Sequence, residues 1–147
     1  MFQKTIHFTT RGEGQIVNIS PQVEEAVRES AFVSGLVNIF ITGSTAAMTT
    51  IEYEEGVLGD FLQALKSFAP DGAEYRHNSR WGDGNGRSHV KASLIGPSVT
   101  IPFRDGVLLC GTWQQVVFVE LDVRPSRERT FVITVSGDKD RPEGNSQ

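Results

Sequence analysis

The stretch that decides the fold is IPFRDGVLLCGTWQQVVFVELD, from Ile101 to Asp122. Two apolar runs flank Asp105-Gly106, a dipeptide that favours the tight turn of a β-hairpin. A third apolar run follows Gly111, and its valine and phenylalanine residues are typical of strands. Consecutive strands joined by short turns predict an antiparallel sheet.

Two other segments have the 3.6-residue period of amphipathic helices. The first begins at Ser20-Pro21, which supply an N-cap and a first-turn proline, and reaches Ala31. The second has an apolar stripe over residues 57–68 that Pro70 and Gly72 end. Segments rich in Val, Ile, Thr and Phe predict strands at about residues 3–10, 36–42, 46–54, 89–96, 98–103, 107–111, 114–122 and 130–136. The predicted fold is α+β, with two helices packed on mostly antiparallel β-sheets.

The length of 147 residues predicts one compact domain, which we place at residues 1–137, followed by a polar tail over residues 138–147. No apolar run approaches the roughly 18 to 20 residues that cross a bilayer, and the N-terminus lacks the features of a secretory signal. We therefore expect a cytoplasmic protein without a membrane partner. The single cysteine, Cys110, lies in an apolar run and is expected to be a buried structural thiol.

Charge is segregated along the chain. The net charge is −4, but residues 76–104 contain five basic side chains and one acidic one, which leaves −8 for the remainder. The acidic surroundings argue against binding to a nucleic-acid backbone. A compact basic segment instead suits a small anion such as phosphate or a carboxylate.

His77 and His89 flank a glycine-rich segment, so a chain that returns on itself could bring both imidazoles to one point. Divalent metals such as zinc are bound by histidine nitrogen together with carboxylate or water. The spacing does not decide the third ligand, and a neighbouring subunit could also supply it. The candidates in the chain are Glu52, which we take first, Glu54, Glu55 and Asp83. The alternative is that both histidines are loop residues hydrogen-bonded to the backbone.

The segment WGDGNG places glycine at positions 82, 84 and 86, where positive φ values could expose successive N–H groups as an anion-binding nest. A plain surface turn is the alternative. The spacing fits neither a dinucleotide fingerprint nor an EF-hand. Small and hydroxyl residues after an apolar strand, including Ser44 and Thr45, would let a ligand approach the backbone, although a Thr-rich strand explains them equally well.

Four stretches together resemble the YjbQ family, whose members are described as secondary thiamine-phosphate synthases: GSTAAMTTIEYEEG, YRHNSRWGDGNGRSHVKASLIGPS, IPFRDGVLLCGTWQQVVFVELD and RPSRERTFVITVSG. The likeness covers about residues 1–137. It implies the compact α+β YjbQ fold, assembly as a trimer or hexamer, and a divalent metal, zinc or magnesium, near the subunit boundary. His77 and His89 fall on the family's histidine positions. Ser44 stands where many relatives have a histidine, and Arg87 where some do.

The resemblance also implies a reaction, the joining of a pyrimidine diphosphate to a thiazole phosphate with release of pyrophosphate, which this chain could perform as a side activity. Its demands are orientation and stabilisation of the leaving-group charge. The residues expected to be catalytic are His77, His89, Arg87 and Lys91. Those expected to contact the phosphorylated substrate are Trp81, Gly82, Asp83, Gly84, Asn85, Gly86, Ser93, Ser44 and Thr45. The alternative is a ring-forming protein that binds a phosphorylated small molecule without turnover.

Overall fold

The computed structural model describes residues 1–140. The elements in chain order are β1 (Phe2–Thr9), β2 (Ile16–Asn18), α1 (Ser20–Ser30), β3 (Ser34–Ile41), β4 (Ala46–Glu52), α2 (Glu55–Phe68), α3 (Arg76–Trp81), α4 (Gly86–Ile95), β5 (Ser98–Arg104), β6 (Val107–Leu108), β7 (Gln114–Glu120) and β8 (Glu128–Asp138). The predicted α+β class is confirmed.

The strands form two antiparallel sheets, a five-stranded one in the order β1-β8-β3-β5-β6 and a three-stranded one in the order β2-β7-β4. The hairpin predicted at Asp105-Gly106 is confirmed, because Arg104 pairs with Val107 across it. Both turn residues have positive φ, 51° and 73°, as a type I′ turn requires. Turn chemistry and strand twist therefore agree at this hairpin.

The main core lies where the inner face of the five-stranded sheet meets the three-stranded sheet and α1. Alternate residues of each strand point inward, as the period of two requires. The ring of Phe8 on β1 meets the edge of Phe118 on β7, with centroids 4.9 Å apart. Fully buried members of this core include Val23, Val27, Val37, Ile39, Ile41, Phe131 and Ile133. Cys110 packs against this core but is only half-buried, and burial, with a smaller effect from Glu24, raises the pKa of its thiol.

β3 and β8 come unusually close where Gly35 pairs with Gly137. A Cβ at Gly35 would lie 2.0 Å from the carbonyl oxygen of Ser136, and one at Gly137 would lie 2.1 Å from that of Ser34. Only glycine fits at either position. β8 ends at Asp138, close to the predicted domain boundary, and residues 141–147 of the predicted tail lie outside the described residues.

The structure has four helices among the described residues rather than the two predicted. The predicted strand over residues 89–96 is wrong, because this segment belongs to α4. The side chains that α4 buries, Ser88, Lys91 and Ala92, are small or polar, so no apolar stripe marks the helix in the sequence. α3 has no buried residue at all. Among residues 1–140, no helix is long and apolar enough to cross a membrane.

Candidate functional site

The short helix α3 and the start of α4 bring His77 and His89 together. The two ring centroids are 4.6 Å apart and the ring planes are inclined by 61°. Gly82, in the left-handed conformation with φ 67°, ends α3, and the chain turns back within four residues to begin α4 at Gly86. The expected meeting of the imidazoles therefore occurs, although two helices produce it rather than a loop.

Asp83, from the turn between α3 and α4, completes a group of three potential metal ligands. Its Oδ1 lies 3.3 Å from Nδ1 of His77. One donor atom from each of His77, Asp83 and His89 lies within 4.8 Å of the other two. The carboxylate is held in place because its Oδ1 also accepts a hydrogen bond from the amide of Asn85 at 3.0 Å.

One of the two ring nitrogens of His89 already makes a hydrogen bond to the backbone. Its Nδ1 lies 3.0 Å from the carbonyl oxygen of Ser44, and a carbonyl only accepts, so Nδ1 carries the proton and Nε2 is left with its lone pair. Nδ1 of His77 is buried and has no hydrogen-bond partner among the residues that the structure describes. Its contact with Asp83 becomes an ion pair only when the imidazole is protonated. Each histidine thus keeps a nitrogen available for a ligand.

Gly86 makes the close packing of α3 on α4 possible. A Cβ at this position would lie 2.4 Å from Cβ of Tyr75 and 2.9 Å from Oδ1 of Asn78. The Asn78 side chain also accepts a hydrogen bond from the Gly86 amide at 2.8 Å. The distance between the two imidazoles therefore depends on the contact of Gly86 with Tyr75 and Asn78, which sets how closely α3 packs on α4.

The glycine-rich segment is not an open anion nest. Gly82 and Gly84 have the expected positive φ, but the amides of three residues are already used. The Gly82 amide donates to the carbonyl of Asn78, that of Asn85 to Asp83, and that of Gly86 to Oδ1 of Asn78. The prediction that this backbone binds phosphate is wrong for these N–H groups, because they stabilise the turn between the helices.

Thr45 and Asn85, predicted to contact substrate, are instead buried around Asp122. Thr45 donates to Oδ2 of Asp122 at 2.9 Å, and the side-chain amide of Asn85 lies 3.4 Å from Oδ1. Burial would raise the pKa of the Asp122 carboxyl, but the amide of Arg124, the Thr45 hydroxyl and the Arg127 guanidinium together hold that pKa below its usual value. A buried carboxylate therefore links the chain before β4 to the chain before α4.

A buried ion pair between Glu120 and Arg129 lies beside the Asp122 carboxylate. Glu120 is fully buried and accepts hydrogen bonds from the guanidinium of Arg129 through both oxygens. Arg129 Nη2 also donates to the carbonyl and the hydroxyl of Thr45, at 3.1 and 2.9 Å. Sequence reasoning missed this network, although acidic residues inside the apolar run Val116–Asp122 were a signal for it.

Arg87 and Lys91 do not join the histidines. Residues two apart on a helix are separated by about 200° around its axis, so both cations lie across α4 from His89. Arg87 makes a bidentate pair with Glu13, at 3.0 and 2.8 Å, and its Nε lies 3.2 Å from Asp71. Hydrogen bonding to Glu13 raises the pKa of Arg87. The prediction that these cations and the imidazoles form one site is wrong.

The remaining predicted residues lie in different places. Glu52 ends β4, about 20 Å along the strand from the chain beside Ser44, so it does not share the histidine group. The Ser93 hydroxyl donates to the carbonyl of His89, one turn back in α4. Trp81 ends α3 with 69% of its surface exposed, and Arg80 lies 5.8 Å from the ring centroid. Of these, only Trp81 combines an exposed ring with a position two residues from Asp83 in the chain.

A family model described as "UPF0047 protein YjbQ-like" matches residues 4–138. The chain belongs to the YjbQ family. The curated relatives include a UPF0047 protein from Archaeoglobus fulgidus, 37% identical over 118 residues, which cover 80% of this chain and 89% of the relative. The UPF0047 protein YugU from Bacillus subtilis is 30% identical over 136 residues, with 91% and 98% covered.

Solved structures of the YjbQ family have the same fold. A YbjQ-like protein of unknown function from Sulfolobus solfataricus P2 superposes with a TM-score of 0.83 at 32% identity, covering 92% of this chain and 98% of that one. An uncharacterized conserved protein of the family from Clostridium acetobutylicum gives a TM-score of 0.79 at 32% identity, with 89% and 99% covered. The predicted family and its fold are confirmed.

Proposed function

We propose that this chain is a divalent-metal-dependent enzyme acting on a phosphorylated small molecule, with the metal held by His77, Asp83 and His89. The observation that supports it is the convergence of three potential ligands, two imidazoles and one carboxylate, within 4.8 Å of one another at the start of α4. Two imidazoles and one carboxylate leave coordination positions open, as catalytic sites require. Nitrogen-rich ligands favour zinc over magnesium, which prefers oxygen.

The residues fit such a metal. Two ligands at tetrahedral positions about 2.0–2.1 Å from one zinc ion lie about 3.3–3.4 Å apart, and His77 Nδ1 is 3.3 Å from Asp83 Oδ1. Metal-bound histidines typically donate their second N–H to a carbonyl or carboxylate, and His89 does so to Ser44. The buried Nδ1 of His77 makes no hydrogen bond within residues 1–140. This fits a metal ligand, because a nitrogen that coordinates a metal has no lone pair left to accept a hydrogen bond.

The bound metal would supply a Lewis acid for phosphate oxygens. The chain's own residues then have defined tasks. The carbonyl of Ser44 orients the His89 imidazole, and the amide of Asn85 orients the Asp83 carboxylate. Trp81 offers an exposed ring for a heteroaromatic substrate to stack on. Arg87 is occupied by Glu13 and so does not assist at this site.

The family resemblance suggests formation of thiamine phosphate as the reaction to test, in a trimeric or hexameric assembly. Untagged protein should contain about one zinc per chain by elemental analysis, and the oligomer should be visible by light scattering. His89→Ala and Asp83→Asn should lose the metal while keeping the oligomer. His7→Ala is the matched control, because His7 is an exposed residue of β1 that contacts Thr130. It should retain the metal.

Incubation of the metal-loaded protein with the pyrimidine diphosphate and the thiazole phosphate should release pyrophosphate, and the Asp83→Asn variant should not. Pyrophosphate release that persists in metal-free protein would contradict the proposal. A binding protein without turnover would give a different result: the thiazole phosphate would raise the melting temperature, and no pyrophosphate would form.

A further inference from the structure

The helix α2 covers the three-stranded sheet incompletely. None of its residues is fully buried, although its apolar stripe faces the sheet. Phe61 and Leu65 pack on the smaller core, while Leu58 and Leu62 remain half-buried. A helix seated in this way leaves apolar surface along one side, next to the loop between β1 and β2.

That side contains a groove formed by two adjoining cavities that share Gly14 and Leu62. The first, of about 420 Å³, is lined mainly by apolar side chains, among them Ile16, Tyr53 and Leu58. The second, of about 260 Å³, is lined by Leu65 and Leu121 together with charged residues at its far end. We call this feature the α2 groove; its charged end consists of Glu13, Lys66, Asp71 and Lys91.

Lys91 is the notable group at the charged end. Only 3% of the residue is exposed, yet within the described part of the chain its ammonium group makes no hydrogen bond. The nearest carboxylate oxygens, of Glu13 and Asp71, are 3.8 and 3.9 Å away, and both carboxylates are in closer contact with Arg87. Lys91 lines the cavity, so its ammonium group, which has three donors, can donate hydrogen bonds to an acceptor placed there.

We propose that the α2 groove binds a medium-chain organic carboxylate, with its head group at Lys91 and its hydrocarbon chain along Leu62 toward Ile16 and Leu58. Lys66 on the rim adds a second positive charge. A single negative charge suits this end better than a phosphate dianion, because Glu13 and Asp71 lie beside it and would repel the larger charge. The leucine-rich walls select a ligand with an apolar body.

This site is independent of the proposed metal centre. Lys91 and His89 are two residues apart in α4 and therefore lie on opposite faces of the helix. No step in the binding of a carboxylate here involves His77, Asp83 or His89. Loss of the metal should leave the groove unchanged, so the two proposals can fail separately.

The probe is octanoate, titrated into the full chain with isotope-labelled Ile and Leu methyl groups. We expect saturable shifts of the methyl signals of Ile16, Leu58 and Leu62, with one site per chain by calorimetry. Each methylene removed, from octanoate through hexanoate, should weaken binding about fourfold. The matched probe 1-octanol has the same chain without the charge and should bind at least about tenfold more weakly.

Lys91→Met keeps the stem of the side chain and removes its charge, so it should weaken octanoate binding about tenfold or more and leave 1-octanol binding unchanged. Lys4→Met is the control, since Lys4 pairs with Glu25 and Glu29 on a remote surface, and it should bind octanoate like the wild type. Equal affinities for octanoate and 1-octanol in the wild type would overturn the proposal even if Lys91→Met does not fold.

A second copy of the chain could cover the groove instead. In that case the Leu58 and Leu62 methyl signals would move on dilution, as light scattering reports dissociation, and octanoate would not shift them in the intact oligomer. This result would also overturn the proposal.

Discussion

The hydroxyl of Thr45 donates a hydrogen bond to Oδ2 of Asp122 over 2.9 Å, and both side chains are buried. Thr45 adjoins Ser44, whose carbonyl accepts from His89. Asp122 also contacts the side chain of Asn85. The backbone carbonyl of Asn85 accepts a hydrogen bond from the backbone amide of His89 in the first turn of α4. One buried carboxylate thus holds both parts of the chain that orient His89.

Replacing Thr45 with Val tests this relationship, because Val has nearly the same shape and lacks the hydroxyl. Asp122 and Arg129 would each lose a partner, so we expect the free energy of unfolding to fall by about 1–3 kcal/mol in chemical denaturation. Metal affinity, measured by calorimetry, should fall as well. Thr49→Val in β4, the strand that follows Thr45, is the control: the Thr49 side chain has no hydrogen bond in the described structure, and the change should stay within about 0.5 kcal/mol. Equal effects of the two variants would contradict the role of the network.

Gly86→Ala should separate α3 from α4. The added methyl group would lie 2.4 Å from Cβ of Tyr75, so the helices must move apart and the stability should drop by about 1–3 kcal/mol. The distance between His77 and His89 should grow, which weakens metal binding. The comparison is Gly59→Ala within α2, where a Cβ meets nothing within 4 Å. That change should stabilise the protein by about 0.4–1 kcal/mol. Loss of stability in both variants would show that the contact with Tyr75 is not the cause.

Glu54 gives a prediction for acid pH. Its side chain caps α2 by accepting hydrogen bonds from the amides of Gly56 and Val57, and these bonds lower the pKa of its carboxyl. A lowered pKa in the folded state means that the stabilisation is present above the ordinary glutamate value of about 4.3 and is lost as the pH falls below it. Glu54→Gln should therefore flatten the acid limb of the stability curve between about pH 5 and pH 3. Glu74→Gln, an exposed loop substitution, should leave that limb as it is in the wild type.

Most of the strands and the first two helices could be predicted because their signals are local, whereas β2, which has only three residues, was not predicted. Asp105-Gly106 encodes its own turn, and the stripe of α2 has helical period whatever it packs against. α4 could not be found in the same way. Its buried face consists of Ser88, Lys91 and Ala92, whose burial depends on Asn85 and distant partners such as Asp122.

The error at the site follows from the error in secondary structure. Arg87, His89 and Lys91 alternate along the sequence, and in a strand or loop all three could turn toward one ligand. In a helix the same spacing places the cations opposite the imidazole. His77 and His89 nevertheless meet, which was one of two alternatives left open by the sequence, because the glycines between them permit the chain to reverse direction.

The place of β8 in the larger sheet has a consequence for synthesis. It is the last strand in the described chain, yet it lies between β1, the first, and β3. During translation, the edges of β1 and β3 that pair with β8 stay unpaired until β8 has been synthesised. For β1, this means that about 130 further residues must be added first. Such edges can recruit strands from other nascent chains, so the yield of native protein during rapid expression should depend on the supply of chaperones.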